Sequence, residues 1–342
     1  MGSACSLGLL LLPEIAVTAL ERRAVSAEQL GYHSVWVADE KFYRDPWIVL
    51  ASIARATRRV VLGTGVTEPY ARHPALLAMA IATLAEVGGD RVVLGLGAGG
   101  SGFPAMGTPR RRPALAVRDA TAIIRSLLAG GSVTHEGAVL SVRNARLSFA
   151  AAPVPIYIAA RGPAMLRAAG AVGDGAIIAP FASPEAVTGA LVRVEAGARA
   201  AGVPPPRVAV RVDVCVGRTE AEARDAVRYF VALPLWSSYP DFGYVEDLGI
   251  QVPEPAREIL ARRDYGAIPE VGACLPPEMI DHFAVAGTRE QVLDRLATLS
   301  GIADEVIVHP VPSASVDVDE LITLVATAWP AATATPLRGA VR

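Results

Sequence analysis

VVLGTGVTEPYARHP, residues 60–74, opens as a buried strand, breaks into glycines and ends on a proline suited to the first turn of a helix. Gly63 and Gly65 stand where a strand gains nothing from glycine, which packs poorly and costs backbone entropy. A strand handing over through a glycine-bearing loop to a helix is one β–loop–α unit, so the question is how often that unit recurs.

Short apolar runs recur at 6–12, 34–38, 60–66, 92–96, 155–159, 176–179, 208–214 and 305–309. Amphipathic segments lie between or after them at 16–30, 46–56, 74–85, 114–128, 163–169, 184–200, 220–231, 289–299 and 318–328, with Pro46, Pro74, Pro163 and Pro184 at first turns. Eight strand–helix units in 342 residues predict an α/β fold, a (β/α)8 TIM barrel in preference to a doubly wound sheet. One domain over residues 1–342 is expected, with two insertions. Residues 131–147 alternate about Glu136 and Gly137 like a hairpin, and residues 233–281 are rich in Pro, Gly and aromatics.

Composition narrows the function. A chain 52% hydrophobic and 19% charged buries a large core, and its formal charge of -2 offers no basic surface to nucleic acid. Cys5, Cys215 and Cys274 suit neither a disulfide framework nor a zinc site, and no HExxH or paired-ligand motif supplies another metal site. SLGLLLLPE is too short to span a bilayer. The opening MGSACS fits the acylation pattern at Gly2, but the run from residue 7 to 12 reads as a buried first strand. The chain is read as cytoplasmic, acting on a small molecule, away from membranes.

In such a barrel the loops after the strands build the active site. That singles out Asp39, Glu40 and Lys41; Gly65, Val66 and Thr67; the run 97–102; Arg161 and Gly162; Pro180 and Phe181; and His309. GLGAGGSG at 95–102 holds G-x-G-x-x-G twice, but three strands precede it and the next helix starts late, against a Rossmann fingerprint. Its glycines suit either contact with a phosphate or ring, or a tight turn. Arg161 and Gly162, before Pro163, make a helix start ready for an anion, or a solvated loop. Asp45 before Pro46 reads as a helix cap, whereas Glu40 has no such local explanation and is a candidate for proton transfer or for an ion pair. Lys41 is the sole lysine.

VWVADE, RDPW, LGTGVTEPYARHPALLAMAIATL, DRVVLGLGAGG, PIYIAARGPAMLRAAG, VGDGAIIAP and HFAVAGTREQVLDRL follow in this order. With them the chain resembles the luciferase-like flavin-dependent oxidoreductases, and within these the branch using coenzyme F420 that includes methylenetetrahydromethanopterin reductase. The resemblance implies a luciferase-like TIM barrel and a non-prolyl cis peptide at Gly65–Val66, flanked by Thr64 and Thr67, backing the deazaflavin ring. It implies phosphate contacts at Gly97, Ala98, Gly99, Arg161 and Gly162, with Ala179, Pro180 and Phe181 along the cofactor tail. Glu40, beside Asp39, stands where family members commonly carry His, which makes these two the catalytic candidates. Gly100 replaces the acid of the sugar-phosphate dehydrogenases, so glucose 6-phosphate is not the expected substrate. Trp236, Tyr239 and Phe242 in the long insertion are expected on the substrate side, as a wall or lid; the alternative is that they seal a helix or a dimer contact.

The expected activity is hydride transfer between deazaflavin C5 and an electrophilic carbon, a C=N, C=C or C=O. An FMN-dependent monooxygenase and a non-catalytic flavin-binding relative are the alternatives. A homodimer is implied by the resemblance alone.

Overall fold

The structure, a computed structural model, describes residues 5–100 and 102–329. Its strands are β1 (Ser6–Leu11), β2 (Ser34–Val37), β3 (Val61–Thr64), β4 (Val92–Leu96), β5 (Val133–Glu136), β6 (Ser141–Ala145), β7 (Ile156–Ala160), β8 (Gly175–Ile178), β9 (Arg207–Val216), β10 (Ala284–Gly287) and β11 (Glu305–Pro310). Eight of them, β1, β2, β3, β4, β7, β8, β9 and β11, pair in parallel in that order, and β11 returns to β1 to close a barrel. Helices cover its outside, so most of its strands are buried on both faces and read as continuous apolar runs. β5 and β6 form the expected antiparallel hairpin.

β10 escaped the sequence reading. Its four residues lie within a segment that reads as connection, yet they pair with the outer end of β9 at Asp213–Val216, beyond the stretch of β9 that pairs with β8. The helix expected at 220–231 also runs on, as Glu220–Ser238, because Val231, Ala232, Leu235 and Trp236 are buried and hold its last turns despite Pro234. The region expected as an insertion from residue 233 therefore begins inside this helix. Short helices at Gly243–Glu246, Glu254–Ala261, Ile268–Ala273 and Pro277–Phe283 follow.

Inside the barrel, Leu10, Trp36, Val61, Val93, Tyr157, Ile177, Ala209 and Ile307 form a core of their own. This core explains Gly63: a Cβ there would clash with the Trp36 ring, so the residue makes room for the indole. Asp45 caps Pro46–Ala56 as expected, accepting from Trp47 N at 2.9 Å. Among the described residues no helix is long and apolar enough to cross a membrane. The acylation pattern at Gly2, and Ser101 in the glycine run, lie outside the described residues.

Candidate active site

A cavity of about 1160 Å³ opens at the C-terminal mouth of the barrel, walled by the loops after the strands and by the helix Glu220–Ser238. A ligand site of this fold is expected at that end.

At the end of β3 the Gly65–Val66 peptide is cis, and both residues line the cavity. Pairing with β4 continues past it, with Thr67 N donating to Gly95 O at 3.0 Å and Gly97 N to Thr67 O at 2.9 Å. Val66 thus lies between the two loops, and a Cβ on Gly97 would stand 2.8 Å from Val66 Cγ2. A Cβ on Gly65 would stand 2.5 Å from Leu10 Cδ1 and 3.0 Å from Trp36 Cβ, so that glycine is required by barrel packing. Thr64 is buried and donates Oγ1–H to Gly95 O at 2.7 Å; neither Thr64 nor Thr67 lines the cavity.

The loop after β2 brings Asp39 and Glu40 to the wall. Asp39 accepts from Thr67 Oγ1 at 2.6 Å and from Lys41 Nζ at 3.0 Å. Lys41 also meets Glu68 at 2.9 Å, and Glu68 is 1% exposed and accepts from Tyr70 N and Ala71 N as well. Among the described residues the ammonium forms no ion pair with Glu40, its neighbour in the chain. Burial pushes the Glu40 carboxyl up to about 7, against a smaller lowering by Lys41. Glu68 was missed by the sequence reading, because its pairing with Lys41 shows only in the fold.

Gly97, Ala98, Gly99 and Gly100 form the next wall, and Arg161 and Gly162 the one beyond, where helix Pro163–Val172 begins. Gly162 has open space where a Cβ would stand. Arg161 donates to Ser237 Oγ at 2.7 Å and lies over the Tyr244 ring, and burial lowers its pKa. Two further arginines were not anticipated. Arg110 donates to Gly99 O at 2.7 Å and Ser237 O at 2.8 Å, and Arg263 donates to Trp236 O at 2.6 Å. Arg110 and Arg263 satisfy carbonyls at the C-terminal end of Glu220–Ser238, where positive charge is favoured, while Arg161 binds the Ser237 hydroxyl there.

Ala179 lines the cavity, while Pro180 and Phe181 stand behind it; Phe181 packs on Tyr244 and Phe283. Trp236 lines the wall, clasped by Arg263, 4.5 Å over its ring, and by Tyr265 edge-on at 5.2 Å. Tyr239 and Phe242 do not line it, because they pack on each other and beneath Arg263 and Arg257. His309 is buried outside the lining, its Nδ1 2.6 Å from Asp213, which also receives Arg211. Tyr43, Tyr229 and Tyr265 complete the cavity mouth, the last two joined hydroxyl to hydroxyl at 3.1 Å. Among the described residues no group of three His, Cys, Asp or Glu is placed to hold a metal ion.

Comparison with known proteins shows the family and the fold. The family model for luciferase-like monooxygenases matches residues 6–304. The 5,10-methylenetetrahydromethanopterin reductase of Methanolobus tindarius is 35% identical over 311 residues, covering 89% of this chain and 94% of the relative. The reductase of the same name from Archaeoglobus fulgidus is 33% identical, covering 89% and 93%. The solved coenzyme F420 dependent tetrahydromethanopterin reductase from Methanopyrus kandleri superposes with a TM-score of 0.80 at 27% identity, over 95% of this chain and 98% of that one.

Proposed function

Because the chain belongs to the luciferase-like monooxygenase family, we propose that it is a coenzyme F420-dependent oxidoreductase acting on an electrophilic C=N, C=C or C=O of a small organic substrate. The observation that carries this reading is the similarity to methylenetetrahydromethanopterin reductases through 89% of the chain.

The residues present suit a long ligand with a flat end and an anionic end. Gly65 and Val66 present backbone to the cavity for a ring. On the wall beyond residues 97–100, the open helix start at Gly162 adjoins Arg161, whose hydrogen bond goes to a neutral hydroxyl. Bound there, the deazaflavin supplies a carbon, in place of flavin N5, that carries a hydride.

The chain's own part is positioning and one proton. Gly65 and Val66 back the ring; Gly97, Ala98, Gly99, Arg161 and Gly162 hold the tail; and Ala179 lines the cavity wall near it. Glu40, able to keep a proton at its carboxyl near neutral pH, hands it to the substrate atom that gains charge, a contribution of about 10²–10⁴-fold for a positioned acid. Asp39 holds Thr67 and Lys41 in place. Trp236 walls the substrate end from water.

Titrating the apoprotein with F420 and, separately, with FMN tests this. The expected result is F420 binding and substrate-dependent reoxidation of its reduced form; binding of FMN alone, with oxygen consumption, would overturn it. Binding without any turnover would instead identify a non-catalytic relative.

A homodimer is part of the same reading. Leu76, Met79 and Val87 line the outer face of helix Pro74–Gly88 at 50%, 46% and 43% exposure, beside Ile48 at 66% on Pro46–Ala56. Leu76→Glu with Met79→Glu is expected to halve the mass measured by light scattering.

A further inference from the structure

Three loops at the cavity mouth meet on one buried ion pair. Lys41, on the loop after β2, extends to Glu68 on the loop after β3, at 2.9 Å. The loop after β4 closes over both: a Cβ on Gly99 would stand 2.9 Å from Glu68 Cγ, and one on Gly102 would fall onto Lys41 Cβ. Glu68 cannot turn away, because Tyr70 N and Ala71 N hold its carboxylate at 2.6 and 3.0 Å. Lys41 therefore follows Asp39 and Glu68, and its ammonium is spent on them while Glu40, adjacent in sequence, faces the cavity.

Other charged or titratable groups surround Glu40. Glu14 past β1, Tyr43 on the same loop, Tyr229 on helix Glu220–Ser238 and Tyr265 line this part of the cavity. Arg211 on β9 also lines it but is bound by Asp213 at 2.7 and 3.0 Å. Lys41 is thus the adjacent cation, and together with the Asp39 carboxylate it sets the charge beside Glu40.

We propose that Glu68 is a positioning residue for proton transfer: by anchoring Lys41 it keeps the ammonium off Glu40 and leaves that carboxyl free to hold a proton at the cavity wall. This rests on the reading of Glu40 as the proton donor, and it has a structural part that can be tested separately. Burial raises the pKa of Glu40, Lys41 acts against that rise, and the neighbouring Asp39 carboxylate adds to it.

The experiment is a carbon-13 titration of glutamate carboxyls in the apoprotein, with Glu40→Gln assigning the Glu40 signal. Glu68→Gln keeps an acceptor for Tyr70 N and Ala71 N but removes the charge that holds Lys41. The Glu40 midpoint is expected to fall by about one pH unit, a tenfold rise in its acid dissociation constant. The double variant Lys41→Gln with Glu68→Gln removes the ammonium too and is expected to move the midpoint the other way, above wild type. If Glu68→Gln does not fold, the double variant still tests the sign. A midpoint unchanged in the variants that fold, or one that rises in Glu68→Gln, overturns the proposal. With F420 bound, the alkaline limb of kcat is expected to follow the midpoint. A midpoint that moves while the limb stays fixed upholds the positioning by Glu68 and refutes Glu40 as donor.

Discussion

The ammonium of Lys41 lies 2.9 Å from Oε1 of Glu68, beneath the glycine-rich loop that follows β4. This pair gives part of that loop a reason that neither a phosphate motif nor a tight turn supplies. Gly99 and Gly102 have φ of 68° and 76°; a side chain on Gly99 would meet the Phe103 ring and Glu68, and one on Gly102 would meet Lys41. Gly97 instead makes room for Val66, and Gly100 has open space around it. One run of glycines therefore serves a buried ion pair and a cavity wall at once.

Removing one partner of a buried pair leaves an uncompensated charge. Lys41→Met is expected to destabilise the protein by about 3–5 kcal/mol in urea unfolding, because Asp39 and Glu68 then face each other without a cation. A loss below about 1 kcal/mol, typical of exposed pairs, would mean that solvent reaches the site.

Much of this architecture was legible in the sequence, and the omissions have physical causes. The eight barrel strands show as apolar runs because both faces are buried, and Pro46, Pro74, Pro163 and Pro184 mark helix starts where a missing N–H costs nothing. β10 was hidden because four residues carry no period. Glu68, Arg110 and Arg263 were hidden because their roles depend on partners 27 residues or more away, Lys41, Ser237 and Trp236. Of the insertion aromatics, the sequence could not separate Trp236, on the wall, from Tyr239 and Phe242, packed behind it, since all three are large aromatics whose burial depends on contacts across the fold.

Glu40→Gln removes the titrating group while keeping size and hydrogen bonding. Turnover is expected to fall at least about tenfold, with F420 affinity nearly unchanged. In the wild type, activity should decline as pH rises through about 7, where the carboxyl loses its proton, and the variant should lack that limb. Stability follows the same sign. A carboxyl whose folded pKa is raised contributes most below the ordinary carboxylate range and loses that contribution as pH rises through 7, so Glu40→Gln should be relatively more stable at pH 8 than at pH 4. Equal losses of turnover and cofactor affinity would reduce Glu40 to a shaping role.

Gly162→Asp places a carboxylate beside Arg161 at the start of Pro163–Val172, where open space surrounds the glycine. The fold should tolerate it, and the F420 dissociation constant should rise by about an order of magnitude or more, the scale of one charged contact of about 1.5–3 kcal/mol. Unchanged affinity in a fluorescence titration would assign the tail elsewhere in the cavity.

Trp236 joins the helix Glu220–Ser238 to the cavity wall, held by Arg263 on one side and Tyr265 on the other. Tyr265 in turn shares a hydroxyl contact with Tyr229, so the indole is the packed centre of the substrate-side wall. Trp236→Ala would leave a cavity costing about 3–5 kcal/mol, and its effect on catalysis would be confounded with folding. Trp236→Phe keeps an aromatic ring between Arg263 and Tyr265 while shrinking the surface offered to a ligand. With whichever acceptor supports reoxidation of reduced F420, it is expected to raise KM several-fold, leaving kcat, F420 affinity and the light-scattering mass close to wild type. A changed mass with unchanged KM would place Trp236 in a subunit contact instead, and would leave the substrate wall to Tyr43, Tyr229 and Tyr265.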